Sequence, residues 1–331
     1  MKKSILKLSA IALAISSFGA LAASQPAVIY DTAGKFDKSF NEAVYQNGVK
    51  AMEAEGLTVR EFEPQNEAQR EQGLRRLASR GFSPIVAVGF NMASAVEKVA
   101  AEFPDIHFTI LDMVVDKPNV QSVVFKEHEG SFLVGALAAK ASKTATVGFV
   151  GGMDIPLIRK FECGYEQGAK YANPDITVLQ NMTGSTPNAF SDPAKGSELA
   201  KSQFSKGADV IYAAAGGTGL GVYQAAADAG KFAIGVDSNQ NHLQPGTMLT
   251  SMVKRVGLAA LDSWKQDMAG TWKPGIQVLG LEQDAVDWAL DDNNKALITD
   301  EMKAYMDSLK ADIISGKIKI HDYMTDNTCT Y

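Results

Sequence analysis

Short, almost continuously apolar runs alternate with amphipathic stretches along most of the chain. The apolar runs are rich in β-branched residues and have the length of strands, whereas the amphipathic stretches have helical periodicity. The elements predicted in the first part of the chain are the strand Ala27–Tyr30, helix Asn41–Glu55, strand Val59–Phe62, helix Ala68–Arg80, strand Pro84–Val88, helix Met92–Phe103 and strand His107–Leu111. Apolar runs without polar alternation are typical of a parallel sheet that helices cover on both faces.

The same alternation starts again near residue 120. The elements predicted there are the strand Val120–Phe125, helix Glu129–Ala141, strand Thr146–Val150, helix Pro156–Asn173, strand Thr177–Asn181, helix Asp192–Lys206, strand Val210–Ala213, helix Leu220–Ala229 and strand Phe232–Val236. Two such series predict an α/β protein with two doubly wound parallel-sheet lobes.

No Pro- or Ser-rich linker separates the two series, so we expect the lobes to share crossing strands. The crossings are predicted near Phe125–Glu127, Met252–Lys254 and Lys273–Ile276. On this division, residues 23–126 with 254–275 form the N-terminal lobe, and residues 127–253 with 276–331 form the C-terminal lobe. Ligands of open α/β sheets bind beyond the carboxyl ends of the strands, so two such lobes facing each other predict a binding cleft.

The N-terminus has the pattern of an export signal. Three lysines precede an apolar run from Ile11 to Leu21, and the small residues around Ala22 predict cleavage after that position. The run is too short to span a bilayer. No Cys stands at the cleavage site, so a lipid-anchored form is not expected. The prediction is a periplasmic protein whose residues 1–22 are removed.

Charge and composition narrow the possible functions. The formal charge is −6 over 331 residues, and it becomes −9 when the three lysines of the signal are removed. An acidic chain lacks the basic, aromatic-rich patches of nucleic-acid binding proteins. It also lacks the positive charge that holds proteins on anionic lipid. We therefore expect neither a nucleic acid nor the membrane surface as a partner.

The two cysteines, Cys163 and Cys329, have two possible states. In an oxidising compartment they can form a disulfide that ties the C-terminal tail to the body of the fold. The alternative is two unpaired thiols, one buried and one on a frayed tail.

Polar and aromatic residues follow several predicted strands and are candidates for a binding site. The first strand leads into a loop with Asp31 and Phe36, Gly89-Phe90-Asn91 follows the third, and Asp112 ends the fourth. In the second lobe the corresponding residues are Phe190, the glycine-rich turn around Gly216, and Asp237. That turn lacks the spacing and the lysine of a phosphate-binding loop, so nucleoside triphosphates are not expected. Its bare N–H groups can approach a ligand closely, and its alternative role is a tight strand-to-helix turn.

Enzymatic activity is not predicted. The four histidines are far apart in sequence and have no zinc-binding spacing, and the acidic pair Asp291-Asp292 stands alone. The nucleophile elbow G-x-S-x-G is absent as well. No metal or cofactor is therefore expected.

The segment Phe36–Asn41, of sequence FDKSFN, resembles the opening motif of the basic membrane protein family of solute receptors. This family includes the bacterial purine nucleoside receptors of ATP-binding-cassette (ABC) importers. Further matches follow in the family's order at 127–135, at 151–153 with Phe161 and Gly164-Tyr165, at 192–196 and at 251–255. The resemblance extends over most of the chain and implies the type I periplasmic binding fold, with two lobes joined by three crossings.

The resemblance also implies how the site is built. In the nucleoside receptors a base lies between two aromatic rings, one from each lobe, and Phe36 and Phe190 match those positions. The positions that match polar groups around the base are Asp31, Asn41 and Asp112, and those that match groups holding the ribose are Asp237 and Lys254. Asp112 can accept from a ring N–H, which guanine and hypoxanthine carry and neutral adenine does not. A bridging water or a protonated Asp112 carboxyl would allow adenosine to bind as well.

The implied function is that of a monomeric periplasmic solute-binding protein. It would close on guanosine, inosine or adenosine and deliver the nucleoside to an inner-membrane ABC permease. Two alternatives stay open. Riboflavin or another flat aromatic solute is one, because two aromatic rings do not specify a purine, and a ligand-sensing protein of the same fold is the other.

Overall fold

The computed structural model describes residues 25–31 and 33–330. The predicted signal segment, residues 1–22, lies outside the described residues. Within the part of the chain that is described, no helix combines the length and the apolar character needed to cross a membrane.

The first lobe contains a six-stranded sheet covered by helices. Its strands are β1 (Ala27–Ile29), β2 (Arg60–Phe62), β3 (Ile85–Ala87), β4 (Phe108–Leu111), β5 (Val120–Phe125) and β11 (Gly275–Leu279). Its helices are α1 (Phe40–Val44), α2 (Lys50–Ala54), α3 (Glu67–Ala78), α4 (Ala93–Glu102) and α9 (Val256–Met268), with a π-helical segment at Tyr45–Val49 and a 3-10 turn at Phe90–Met92. All neighbouring strands are parallel, in the order β11-β5-β4-β3-β1-β2.

The second lobe repeats this plan. Its strands are β6 (Thr146–Met153), β7 (Thr177–Gly184), β8 (Val210–Ala214), β9 (Phe232–Asp237), β10 (Met248–Lys254) and β12 (Val286–Trp288). Its helices are α5 (Glu127–Ala141), α6 (Pro156–Ala172), α7 (Pro193–Ser205), α8 (Gly219–Ala229) and α10 (Asp300–Ile314), with 3-10 turns at Pro187–Phe190, Gly216–Thr218, Lys295–Leu297 and Tyr323–Thr325. The order is β12-β10-β9-β8-β6-β7, and only the pairing of β12 with β10 is antiparallel.

The predicted fold class, two doubly wound parallel-sheet lobes, is confirmed. The chain first crosses between the sheets at Lys126, between β5 and α5, and crosses again at Arg255, between β10 and α9. The third crossing differs from its predicted place near Lys273–Ile276, because β11 pairs with β5 over its whole length in the first sheet. The strand 275–279 therefore belongs to the first lobe, and the chain crosses back after Leu279.

The helix after β1 is continuous but contains the π-helical segment, which sequence periodicity did not predict. Gly48 lies in this segment, where an added Cβ would be 3.0 Å from the carbonyl oxygen of Gly257 and 3.2 Å from the ring of Trp264. The helix can therefore approach α9 closely. Trp264 is completely buried and donates its indole N–H to the carbonyl of Ala27, 3.2 Å away. This packing fixes the helix that carries the first-lobe side of the site.

Candidate functional site

A cavity lies between the carboxyl ends of the two sheets. In each sheet the strand order reverses beside one central pair of strands, β1 and β3 in the first lobe and β6 and β8 in the second. Loops that follow these strands diverge there and leave a crevice. The cavity holds about 600 Å³ of empty space, counting the solvent at its mouth. Seven of the eight predicted ligand-binding residues line it, namely Asp31, Asn41, Asp112, Phe190, Gly216, Asp237 and Lys254.

Phe36 is the exception, since its side chain lies outside the cavity. The residue is 59% exposed, and its ring meets that of Tyr45 edge-on with centroids 5.4 Å apart. The ammonium of Lys35 lies 5.1 Å from the same ring. These local contacts hold Phe36 at the surface, so the predicted pairing of Phe36 with Phe190 is not the arrangement in this structure. Its neighbours Ala33 and Asp37 do line the cavity.

The aromatic residue that faces Phe190 is Phe90. The two ring centroids are 6.3 Å apart and the ring planes meet at 62°. Phe190 is seated on Gly152, where an added Cβ would fall 2.2 Å from its ring. Phe90 lies three residues after the end of β3, where the order of the first sheet reverses, so the rule for open sheets could have selected it from the sequence. From the sequence, Phe90 is expected only as a residue that follows a strand.

Gly216 and the loop that carries Phe190 pack against each other. Gly216 has φ +54°, and an added Cβ there would lie 3.3 Å from the carbonyl oxygen of Phe190. Asp192, just beyond, caps α7 by accepting from the backbone N–H of Lys195 at 2.9 Å. The glycine thus serves the tight turn expected as its alternative role, and it also lines the cavity.

Asp31 and Asn41 belong to a hydrogen-bonded cluster at the start of α1. Asn41 Oδ1 accepts from the backbone N–H of Asp31 at 3.0 Å, and Asn41 Nδ2 donates to Asp37 Oδ2 at 3.0 Å. Asn91 Nδ2 donates to Asp31 Oδ2 at 3.2 Å, and an Arg70 nitrogen lies 3.7 Å from Asp31 Oδ1. Burial raises the pKa of Asp37, whose carboxylate also accepts from backbone N–H groups of the helix start. These bonds fix the loop on one side of the cavity.

Asp112 and Asp237 are buried carboxyl groups on opposite lobes. Asp112 follows β4 and Asp237 ends β9, and both have left-handed backbones, with φ 68° and 63°. Burial raises the pKa of Asp112 to about 6 against the opposing charge of Lys254, and it raises that of Asp237 to about 7. Asp112 Oδ1 is buried without a hydrogen-bond partner among the described residues. It is therefore an acceptor that a bound molecule can use.

Lys254 is the buried cation of the cavity. Its ammonium lies 2.6 Å from Asp112 Oδ2 and 2.8 Å from Glu127 Oε1. Burial alone would lower the pKa of Lys254, but Asp112 and Glu127 raise it above its usual value. The lysine is therefore charged, and it comes from the second crossing between the lobes.

Hydrogen bonds join the lobes beside the cavity. Ser39 Oγ donates to Asp237 Oδ2 at 2.6 Å, and Ser238 Oγ donates to the carbonyl of Ser39 at 2.9 Å. Gln240 Nε2 donates to the carbonyl of Lys38 at 2.7 Å. The start of α1 is thus fastened to the end of β9, so the lobes are in contact with each other.

Cys163 and Cys329 are joined in the structure, with Cα atoms 5.3 Å apart. Cys163 is fully buried on α6, whereas Cys329 lies near the end of the chain. The C-terminal segment is thereby attached to the second lobe. Over residues 25–31 and 33–330, no group of three or more His, Cys, Asp or Glu side chains could hold a metal ion.

Comparison with known proteins gives consistent relatives. The model of the family described as "ABC transporter substrate-binding protein PnrA-like" matches residues 25–323. The ABC transporter nucleoside-binding protein BmpA of Lactococcus lactis is 32% identical, covering 97% of this chain and 99% of that protein. Basic membrane protein A of Borreliella burgdorferi is 32% identical, covering 95% of this chain and 93% of its own. The crystal structure of an ABC transporter solute-binding protein from Aeropyrum pernix superposes with a TM-score of 0.82 at 28% identity, covering 89% of this chain and 92% of that one.

Proposed function

The chain belongs to the PnrA-like family of ABC transporter substrate-binding proteins, and from that premise we propose that it binds a purine nucleoside between its lobes. This family consists of solute-binding proteins, which work with a transporter permease. The observation that carries the ligand class is the cavity itself, which combines aromatic rings from both lobes with buried carboxyl groups and one buried lysine. The nucleoside-binding relative from Lactococcus lactis supports the same class.

The base stacks on Phe190 in this proposal. Stacking of a base on an aromatic side chain contributes about 1–3 kcal/mol. Phe190 needs no rearrangement, because its ring is already seated on Gly152 beside the cavity. Phe90 forms the opposite aromatic wall.

Phe36 turns inward over the base when the nucleoside binds. In sequence it stands between two lining residues, Ala33 and Asp37, and most of the residue is exposed. Burying that ring against a base removes apolar surface from water. The movement has to break its contacts with Tyr45 and Lys35.

The polar groups divide between base and sugar. Asp112 Oδ1 accepts from a ring N–H, which favours guanosine and inosine over adenosine. Asp237 accepts from the ribose hydroxyls, and Lys254 donates to the same sugar. Charge-assisted hydrogen bonds of this kind are about twice as strong as neutral ones. Asp31 and Asn41 complete the base side, and Gly216 allows close approach of the backbone.

We also propose where the protein works and how it is divided. The lysine-rich N-terminus and its apolar run act as an export signal, so that the protein captures its ligand in the periplasm. The two lobes, with the third crossing after Leu279, close as units around the nucleoside. The closed monomer then docks on an inner-membrane permease.

Titration calorimetry at pH 7.5 with guanosine, inosine, adenosine, cytidine and riboflavin tests the ligand. Guanosine and inosine should bind more tightly than adenosine, and cytidine should bind much more weakly because its smaller ring stacks less. If riboflavin bound and none of the purine nucleosides did, the assigned ligand would be a flavin. If none of the five bound at millimolar concentration, the proposal would be refuted.

A further inference from the structure

Glu127 joins the ligand-site lysine to a second buried lysine. Its side chain is 1% exposed, with Oε1 2.8 Å from Lys254 Nζ and Oε2 2.9 Å from Lys160 Nζ. Burial would raise the pKa of Glu127, but the two ammonium groups outweigh it and lower the pKa to about 2. The carboxylate is thus ionised, and it contacts Lys254 without being one of the residues that line the cavity.

We propose that Glu127 is the positioning residue that fixes the Lys254 ammonium in the cavity. This role rests on the proposed function only in the identity of the ligand group that Lys254 contacts. Glu127 does not line the cavity, so it acts on the ligand through Lys254.

The contacts of Lys254 show why it requires a second carboxylate. Its ammonium lies 2.6 Å from Asp112 Oδ2 on the first lobe and is attracted less strongly by Asp237 on the second, so without Glu127 the Asp112 contact would dominate. Glu127 provides a second anion at nearly the same distance and divides the attraction. Three aromatic rings, of Phe40, Phe125 and Phe161, surround the ammonium at 5.0–5.4 Å and limit its movement further.

The fold places Glu127 by two separate means. Glu127 begins α5, where a carboxylate is favoured by the N-terminal end of the helix dipole. On the other side, α6 approaches α5 at backbone distance, since an added Cβ at Gly164 would lie 2.6 Å from the backbone of His128 and one at Gly168 would lie 1.9 Å from the carbonyl oxygen of Phe132. That approach brings Lys160 of α6 to Glu127. Lys160 Nζ also donates to the carbonyl of Phe125 at 2.6 Å.

The same helix start connects all three crossings, which provides a matched control. Glu127 of the first crossing meets Lys254 of the second. Two residues further on, Glu129 Oε2 accepts from the backbone N–H of Leu281 at the third crossing, 2.8 Å away. Glu129 is therefore a hinge contact in the same helical turn that is not paired with Lys254.

The first test compares Glu127→Gln with Glu129→Gln on two ligands. Guanosine carries the ribose hydroxyls assigned to Lys254 and Asp237, whereas 2′,3′-dideoxyguanosine lacks them. At metal sites, partners behind the ligating side chains change affinity by about 10–100-fold, and we expect the lower end of that range here. Glu127→Gln should therefore lower the affinity for guanosine about tenfold or more and keep the affinity for dideoxyguanosine within about threefold of the wild type. Glu129→Gln should change the affinities for the two ligands by the same factor. Equal losses for both ligands in Glu127→Gln, or no loss, would overturn the positioning role.

Two further measurements cover failure to fold and failure of the ligand assignment. If Glu127→Gln does not melt cooperatively, the double variant Glu127→Gln/Lys160→Met removes an anion and a cation together and takes its place. Nitrogen-15 NMR of lysine ammonium groups in the protein without nucleoside reports on Lys254 directly. Its signal should broaden or shift in Glu127→Gln and persist in Glu129→Gln, and an unchanged signal would overturn the proposal. If the wild type bound no nucleoside, the proposed function alone would fail and this signal would still decide the role of Glu127.

Discussion

Phe36→Ala is the most discriminating substitution, because the residue stands outside the cavity and yet is assigned to the base. Turning inward gives up the edge contact with Tyr45, worth about 0.5–1.5 kcal/mol, and the cation–π contact with Lys35, worth about 0.5–1 kcal/mol. It gains about 1–3 kcal/mol of stacking together with the burial of a ring that is 59% exposed. The net contribution is about 1 kcal/mol, which corresponds to about fivefold in guanosine affinity.

Phe190→Ala sets the scale for this comparison. Phe190 already lines the cavity and its ring can stay seated on Gly152 when a base stacks on it, so its removal should cost about 2 kcal/mol of stacking, or about thirtyfold in guanosine affinity. Calorimetry with guanosine on both variants gives the two ratios directly. The melting temperature of Phe36→Ala without ligand should match the wild type, because an exposed ring contributes little to the core.

The result that refutes the inward movement is equally specific. If Phe36→Ala bound guanosine with an affinity within about twofold of the wild type, Phe36 would have to stay at the surface in the bound state. A large loss in Phe90→Ala in the same experiment would then identify Phe90 as the second face of the base site. Phe90 faces Phe190 at a centroid distance of 6.3 Å, so it is the appropriate comparison.

Three further predictions concern the polar groups and the cysteines. Asp237→Asn should reduce the preference for guanosine over free guanine, and calorimetry that finds the same ratio as in the wild type would remove Asp237 from the sugar. Guanosine affinity should fall as the pH drops from 8 to 5, because Asp237 and Asp112, with pKa values of about 7 and 6 raised by burial, must be ionised to accept hydrogen bonds; a flat profile from isotherms across that range would contradict this. Replacing Cys163 and Cys329 together by Ser should lower the unfolding free energy by about 2–5 kcal/mol in denaturant titrations and leave guanosine affinity unchanged; equal stability, or two reactive thiols in the unreduced wild type, would contradict a stabilising disulfide.

The part of the site that sequence could predict is the part that strand ends determine. Asp112 and Asp237 stand at the ends of apolar runs and Phe190 lies in the loop after β7, and the sheets bring these positions to one crevice. The direction of an exposed loop side chain depends on the path of the loop, which the pattern of apolar and polar residues does not determine. Tyr45 holds the ring of Phe36 from the next helix, so no local pattern indicated that Phe36 lies outside the cavity.

Two other features had no sequence signal of sufficient strength. Ile276 and Val278 of the strand 275–279 are exposed, as is typical of a strand at the edge of a sheet. This pattern does not indicate which of the two sheets the strand joins. Glu127 and Lys160 are more than thirty positions apart in the sequence. Their pairing depends on the close packing of α5 and α6. In the sequence, each of the two has the pattern of an ordinary charged residue on a helix.

The late position of β11 affects how the polypeptide can reach its folded state. The first sheet is built from segments that end at Phe125 and from a strand that begins only at Gly275, with nearly all of the second sheet encoded between them. A chain shortened to residue 254 would therefore lack both α9 and the final strand of its first lobe. Neither half can be produced as an independent fragment by cutting at a single point, and a circularly permuted chain would have to keep all three connections intact.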